Sequence, residues 1–189
     1  MTTLALADIE REVLPTFTTY LEIPSLSPMF DAEWATSGHL DAAAELIAAW
    51  ARTRALAGAE VEIHRLDGRT PVVTVTVPAT PGAGAGTCVL YGHLDKQPPL
   101  GDWSEGLGPY TPVRRGDRLY ARGAADDGYS AFAALLALEA LEASGEGHAR
   151  CIVLIEASEE SASADLEFYL DALADHLGDV ELMICLDSG

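Results

Sequence analysis

Apolar residues recur along this chain with two periods, and the alternation between them lays out its elements. Over residues 4–22, Leu6, Ile9, Val13, Phe17 and Leu21 form one helical stripe, which Pro15 kinks or splits. Pro24 and Pro28 end it in a loop. A second helix is predicted over residues 36–57, with Leu40, Ala44, Ile47 and Trp50 facing a core and Gly58 as its stop. The period then shortens to two: residues 60–66 alternate apolar and polar, and residues 72–77 are rich in β-branched side chains. The glycines of residues 82–86 precede a strand instead of following one and opening a helix, so they form a flexible turn and not a phosphate loop.

The second half repeats strand and helix. A strand at residues 87–91 leads to a Gly- and Pro-rich loop at residues 97–112 that bears Trp103 and Tyr110 and is long enough to be functional. A small hairpin over residues 113–120 turns at Gly116-Asp117. A helix over residues 129–143 aligns Ala131, Leu135, Leu138 and Leu141 on one face, leaves Glu139 and Glu142 at wetter positions, and stops at Gly145. Residues 151–155 are nearly all apolar and read as a strand buried on both faces. A helix over residues 165–177 and an apolar strand over residues 182–186 complete the pattern. Buried strands alternating with helices define an α/β fold, a largely parallel central sheet flanked by helices. Ligands in such sheets sit at the carboxyl ends of the strands.

Composition narrows the function. The 189 residues suit one domain with a substantial core. Eleven basic against 30 acidic residues give a net charge of −19, which argues against nucleic acid and anionic membrane surfaces and is compatible with attraction of divalent cations. The N-terminus turns charged too early for a signal peptide, and no apolar run approaches a membrane span. Cys88, Cys151 and Cys185 lie in apolar runs without CxxC spacing, as buried free thiols of a reducing compartment do. A cytoplasmic location is expected.

The chemistry gathers at the strand ends. His93, the Glu159-Glu160 pair and Asp187 each follow an apolar strand, and Asp126 directly precedes a helix in a loop that can reach the same rim. Strand alternation points His93 and Asp95 the same way, so a carboxylate is available to the second nitrogen of a metal-binding imidazole. Asp95, Asp126, Asp127, Glu159, Glu160 and Asp187 packed together repel one another, and one or two divalent cations resolve that conflict. A mixed His and carboxylate set suits zinc, with cobalt or manganese possible. Adjacent glutamates leave a strand end in different directions, so one can ligate while the other serves as general base. Taken alone, the pair also reads as the acidic start of the helix that follows. A two-carboxylate glycosidase explains neither His93 nor the convergence of strand ends.

Four stretches in order, Tyr91-Gly92-His93-Leu94-Asp95, Tyr120-Ala121-Arg122-Gly123-Ala124-Ala125-Asp126-Asp127, Glu159-Glu160-Ser161 and Cys185-Leu186-Asp187, resemble the successive signatures of the di-zinc metallopeptidases. That family includes carnosinase-like dipeptidases, aminoacylases, succinyl-diaminopimelate desuccinylase and glutamate carboxypeptidases. The resemblance implies that His93 and Asp187 hold one zinc, Glu160 the other, and Asp126 both. It implies that Asp95 orients His93, that Glu159 is the base for attack of a metal-bridging water on an amide carbonyl, and that the Asp126–Asp127 peptide is cis. It implies a dipeptide or N-acyl amino acid as substrate, with Asp at position 187 leaning towards dipeptidases and aminopeptidases and the Trp103 loop towards the carnosinases.

Two departures stand out. Many members have Lys-Gly after the paired aspartates, where this chain has Gly128-Tyr129. Members also continue into a lid or dimerisation domain and a returning segment that supplies a last zinc histidine. None of His39, His64, His148 and His176 has a matching context. By the resemblance, residues 1–189 are expected to be the N-terminal part of a catalytic domain whose full-length form is a possible homodimer. The alternative is a catalytically inactive metal-binding or interaction fragment.

Overall fold

The computed structural model describes residues 6–84 and 86–187, and the Leu6 side chain is not described. Residues 4–5 of the first predicted helix, the Leu6 position of its stripe and Ala85 of the glycine turn lie outside the described residues. Before the sheet come α1 (Leu6–Glu12), α2 (Leu14–Glu22), α3 (Trp34–Ser37) and α4 (His39–Ala51). The strands β1 (Glu60–His64), β2 (Val72–Val77) and β3 (Thr87–His93) follow, then a hairpin of β4 (Val113–Arg115) and β5 (Arg118–Tyr120). The chain closes with α5 (Ser130–Ser144), β6 (Arg150–Glu156), a 3-10 turn at Glu159–Ser161, α6 (Leu166–Ala172), α7 (Ala174–Leu177) and β7 (Val180–Cys185).

Five strands form one sheet in the order β1-β2-β6-β3-β7. β2 runs antiparallel to both β1 and β6, whereas β6–β3 and β3–β7 are parallel. Only β2 therefore opposes the common direction, and the expected largely parallel sheet is observed. On one face Val73, Val75, Val153 and Ile155 pack with Phe17, Ile47, Trp50, Phe132 and Leu135 of α2, α4 and α5. Phe132 meets the rings of Phe17 and Trp50 at 5.4 and 4.6 Å. On the other face Val72, Val89, Ile152 and Leu154 pack with Tyr169 and Leu177 of α6 and α7. Both central strands β2 and β6 are covered on both sides, as a nearly continuous apolar run requires.

Several boundaries differ from the periodicity. Val13 separates α1 from α2, and Pro15 sits in the first turn of α2, where its missing N–H interrupts no helical bond. The 36–57 helix is two helices parted by Gly38 at φ +74°, and it ends at Ala51. Its end is drawn into a turn: Arg54 pairs with Glu12 and Glu139, and the Thr53 hydroxyl donates to the Trp50 carbonyl at 2.6 Å. Leu40, Ala44, Ile47 and Trp50 are nevertheless buried as expected. The predicted 165–177 helix breaks at Leu173, and α5 ends at Gly145 in the left-handed region. Strand β3 runs on through Gly92 and His93, because both continue the ladder against Ile155 and Glu156.

The largest correction concerns β7. Its apolar sequence suggests burial like that of β6, yet all six residues are exposed, Leu182 by 54% and Met183 by 62%. The strand is the sheet edge, paired to β3 alone. Cys185 is consequently an exposed thiol; Cys88 is half-buried, Cys151 is buried, and all three are free. Among the described residues, no helix is long and apolar enough to cross a membrane.

Candidate metal centre

The parallel register of β3 and β6 sets His93 opposite Glu156 at the carboxyl end of the sheet. His93 is buried, and its N–H donates to Asp127 Oδ2 at 3.1 Å. Its ring Nδ1 lies 3.0 Å from the Asp95 carbonyl and 3.4 Å from Asp95 Oδ1. Donation from Nδ1 to that carbonyl leaves the lone pair of a neutral ring on Nε2. The expected Asp95–His93 partnership is thus made mainly by backbone oxygen. The Asp95 carboxylate also reaches the turn after β6, where it accepts the N–H of Glu159 at 3.2 Å and of Glu160 at 3.0 Å.

Nε2 of His93 is buried and has no hydrogen-bond partner. It faces Asp126 Oδ1 at 3.4 Å, Glu159 Oε2 at 3.9 Å and Asp187 Oδ2 at 4.0 Å. Ligand atoms of His93, Asp126 and Glu160 lie within 4.8 Å of one another, and so do those of His93, Glu159 and Asp187. All the residues singled out from the strand ends therefore meet at one rim. Neither group includes His39, His64, His148 or His176. The imidazole lone pair aimed into carboxylates fits a divalent cation of the zinc, cobalt or manganese kind.

The electrostatics agree with this fit. Burial lowers the His93 imidazolium, but Asp95, Asp127 and Glu159 outweigh it and hold the ring up at about 10, so a metal ion binding at Nε2 would displace a proton from the ring. Burial raises Glu159 and Glu160; Asp187 adds to the rise at Glu159 and Asp126 at Glu160. Burial likewise raises Asp127 to about 6 against the opposing His93 N–H. Such mutual repulsion is what a bound cation removes.

The loops around the cluster are shaped by contacts that patterning cannot reveal. The Asp126–Asp127 peptide is cis, as the resemblance implied. A Cβ on Gly92 would fall 2.4 Å from Asp127 Oδ2, and one on Gly128 would fall 2.1 Å from the Tyr20 ring. The Tyr20 ring therefore fills the space that a side chain at position 128 would need. Glu156, buried at the end of β6, accepts the hydroxyls of Tyr91 at 2.6 Å, Ser163 at 2.9 Å and Ser158 at 3.0 Å, and so brackets the Glu159–Ser161 turn.

Sequence reasoning missed Lys96. It is fully buried, and Nζ donates to the Tyr20 and Ile23 carbonyls at 2.9 and 2.6 Å and lies 4.2 Å from the Tyr20 ring. Burial pushes its ammonium down to about 7. A cation directly after His-x-Asp, in so acidic a chain, was the available signal. From the long loop at residues 97–112, Gln97 reaches the cluster, donating its amide to Glu160. Trp103 is half-buried in that loop.

Mixed sheet, strand-end carboxylates and an inward-facing imidazole together make a candidate divalent-metal centre. The chain belongs to peptidase family M20/M25/M40, whose sequence profile matches residues 89–185. It is 38% identical over 88 residues to succinyl-diaminopimelate desuccinylase of Xylella fastidiosa (strain M12), a stretch that is 46% of this chain and 23% of that protein. Its fold is similar to the M20 family metallo-carboxypeptidase Sso-CP2 from Sulfolobus solfataricus, with a TM-score of 0.74 and 26% identity over 93% of this chain and 37% of that one. Human carnosine dipeptidase 1 gives a TM-score of 0.70 and 26% identity over 95% of this chain and 39% of the other. This chain thus spans less than two fifths of either solved structure and matches about a quarter of the curated relative.

Proposed function

We propose that this chain is the metal-holding part of a hydrolase that cleaves the amide bond of a dipeptide or an N-acyl amino acid. The observation that carries the proposal is the buried, unpartnered His93 Nε2 facing Asp126, Glu159 and Asp187. In this reading His93, Asp126, Glu160 and Asp187 would hold the metal. A bound divalent cation supplies Lewis acidity, polarising the scissile carbonyl and favouring deprotonation of water. Glu159 is the general base: it takes a proton from the attacking water and returns it to the leaving nitrogen. Its burial and the neighbouring carboxylates raise its pKa towards the range a base needs at neutral pH. Asp95 positions the machinery from beneath, holding the His93 ring and both glutamate N–H groups. Glu159→Ala is expected to abolish dipeptide cleavage while zinc stays bound, and retained turnover removes Glu159 as the base.

A second reading is favoured by the exposed apolar edge of β7. In it the chain binds metal without turnover and associates through that edge. Zinc stoichiometry and dipeptide cleavage measured on the same preparation separate the two, since turnover is unique to the first.

A further inference from the structure

Large exposed apolar side chains among the described residues fall into two groups. Phe168, Leu170, Val180, Leu182, Met183 and Ile184 belong to α6 and the β7 edge. Met29 (66% exposed), Phe30 (36%) and Leu100 (65%) do not. These three come from two loops that are bonded to each other and to the metal centre. Leu26 and Lys96 form an isolated parallel bridge, with the Lys96 N–H donating to the Ser25 carbonyl at 2.9 Å and the Ser27 N–H to the Lys96 carbonyl at 3.1 Å. Past that bridge, the Met29 N–H donates to Ser161 Oγ at 2.8 Å, and the Ser27 and Ser161 hydroxyls are 2.5 Å apart. On the other loop the Gln97 amide donates to Glu160. Both loops are thereby fastened to two consecutive residues, Glu160 and Ser161. Because the bridge is parallel, both chains leave it in the same direction; on one, a turn closed by the Phe30 N–H on the Ser27 carbonyl at 2.9 Å carries Met29 and Phe30, and on the other the chain leads to Leu100.

We infer that Met29, Phe30 and Leu100 form an apolar collar beside the carboxylate cluster, which receives an uncharged apolar side chain of the substrate. This rests on the hydrolase reading and names its substrate class: dipeptides or N-acyl amino acids bearing leucyl, methionyl or phenylalanyl side chains. Single exposed hydrophobes are ordinary, but three on joined loops beside one site make a patch that a ligand can cover. Charge points the same way. The only cation in residues 24–30 and 96–100 is Lys96, and its ammonium is buried on the Tyr20 and Ile23 carbonyls. These loops offer an acidic side chain no partner.

The test uses the zinc-loaded chain and calorimetric binding of three probes, the hydroxamates of L-leucine, glycine and L-aspartate. Leucine hydroxamate is expected to bind about tenfold or more tightly than the glycine compound, the scale a filled apolar subsite gives, and the aspartate compound weakest. Met29→Ser combined with Phe30→Ser, and separately Leu100→Ser, are expected to narrow the leucine–glycine gap with zinc content unchanged. These side chains are exposed, so the variants keep the fold, which far-ultraviolet circular dichroism verifies. Equal affinities, no binding of any probe, or a gap that survives all three substitutions overturns the collar. Cleavage of Leu-Gly and Gly-Gly is followed alongside: a leucine preference in binding without any cleavage overturns the hydrolase reading and leaves the collar standing.

Discussion

The carboxylate of Asp95 lies under the backbone of Glu160, accepting its N–H at 3.0 Å through Oδ2 while Oδ1 takes the N–H of Glu159 at 3.2 Å. One buried side chain from the segment after β3 therefore sets the turn after β6, and its own carbonyl aims the His93 ring. Asp95→Asn replaces one of two acceptor oxygens by a donor that meets another N–H. We expect zinc affinity to fall about 10- to 100-fold, the scale seen when a residue supporting metal ligands is lost. Competition with a chromophoric chelator measures it. Unchanged affinity would show that the turn holds its shape without Asp95.

Glu156 supports the same turn from the other side. Three hydroxyls donate to its buried carboxylate, two of them from Ser158 and Ser163, which flank Glu159–Ser161. Glu156→Gln keeps the size but turns one acceptor into a donor facing hydroxyls. A loss of about 1–3 kcal/mol is expected, the usual cost of an unsatisfied buried polar group, read as a lower chemical-denaturation midpoint. Tyr91→Phe removes one of the three bonds and is expected to cost less.

Lys96 gives a pH dependence of definite sign. Its folded pKa, about 7, lies below its ordinary 10.5, so between those values the unfolded chain binds more protons and folding stability rises with pH. The penalty for burying the ammonium is fully present below about pH 7 and fades towards pH 10. Lys96→Met keeps the apolar stem without the charge. Relative to the native chain it is expected to be stabilised most below pH 7, by an amount on the order of a few kcal/mol, with the difference shrinking as pH rises. Denaturation midpoints of the two proteins at pH 6.5, 8 and 9.5 provide the check. A difference independent of pH removes the buried charge as its cause.

How much of this was legible from the residues follows from the range of each interaction. The strands and the strand-end positions of His93, Glu159, Glu160 and Asp187 were legible because period and burial are local properties. Helix ends at Ala51 and Leu173 were not, because the first depends on Arg54 meeting Glu12 and Glu139, which are distant in sequence. The open edge of β7 was invisible for a related reason: apolar composition records what a strand can bury, whereas its place in the sheet order decides what covers it. The dual role of Asp95 and the burial of Lys96 likewise depend on partners more than 60 residues away.

The β7 edge predicts its own behaviour. An exposed apolar strand with free N–H and C=O groups invites pairing with another chain. Leu182→Lys and Ile184→Lys, placed on that edge, are expected to reduce concentration-dependent association in sedimentation velocity while leaving zinc content unchanged. If the native chain and the variants sediment alike at every concentration, the edge does not mediate association.

The central claim is that His93, Asp126, Glu160 and Asp187 jointly hold a divalent cation. Zinc per chain, measured by elemental analysis after exhaustive dialysis against metal-free buffer, tests it most directly. The native chain is expected to retain at least one equivalent, and His93→Ala and Asp126→Ala to retain far less with the fold intact by circular dichroism. A native chain that keeps no zinc, or variants that keep as much as the native chain, would contradict it.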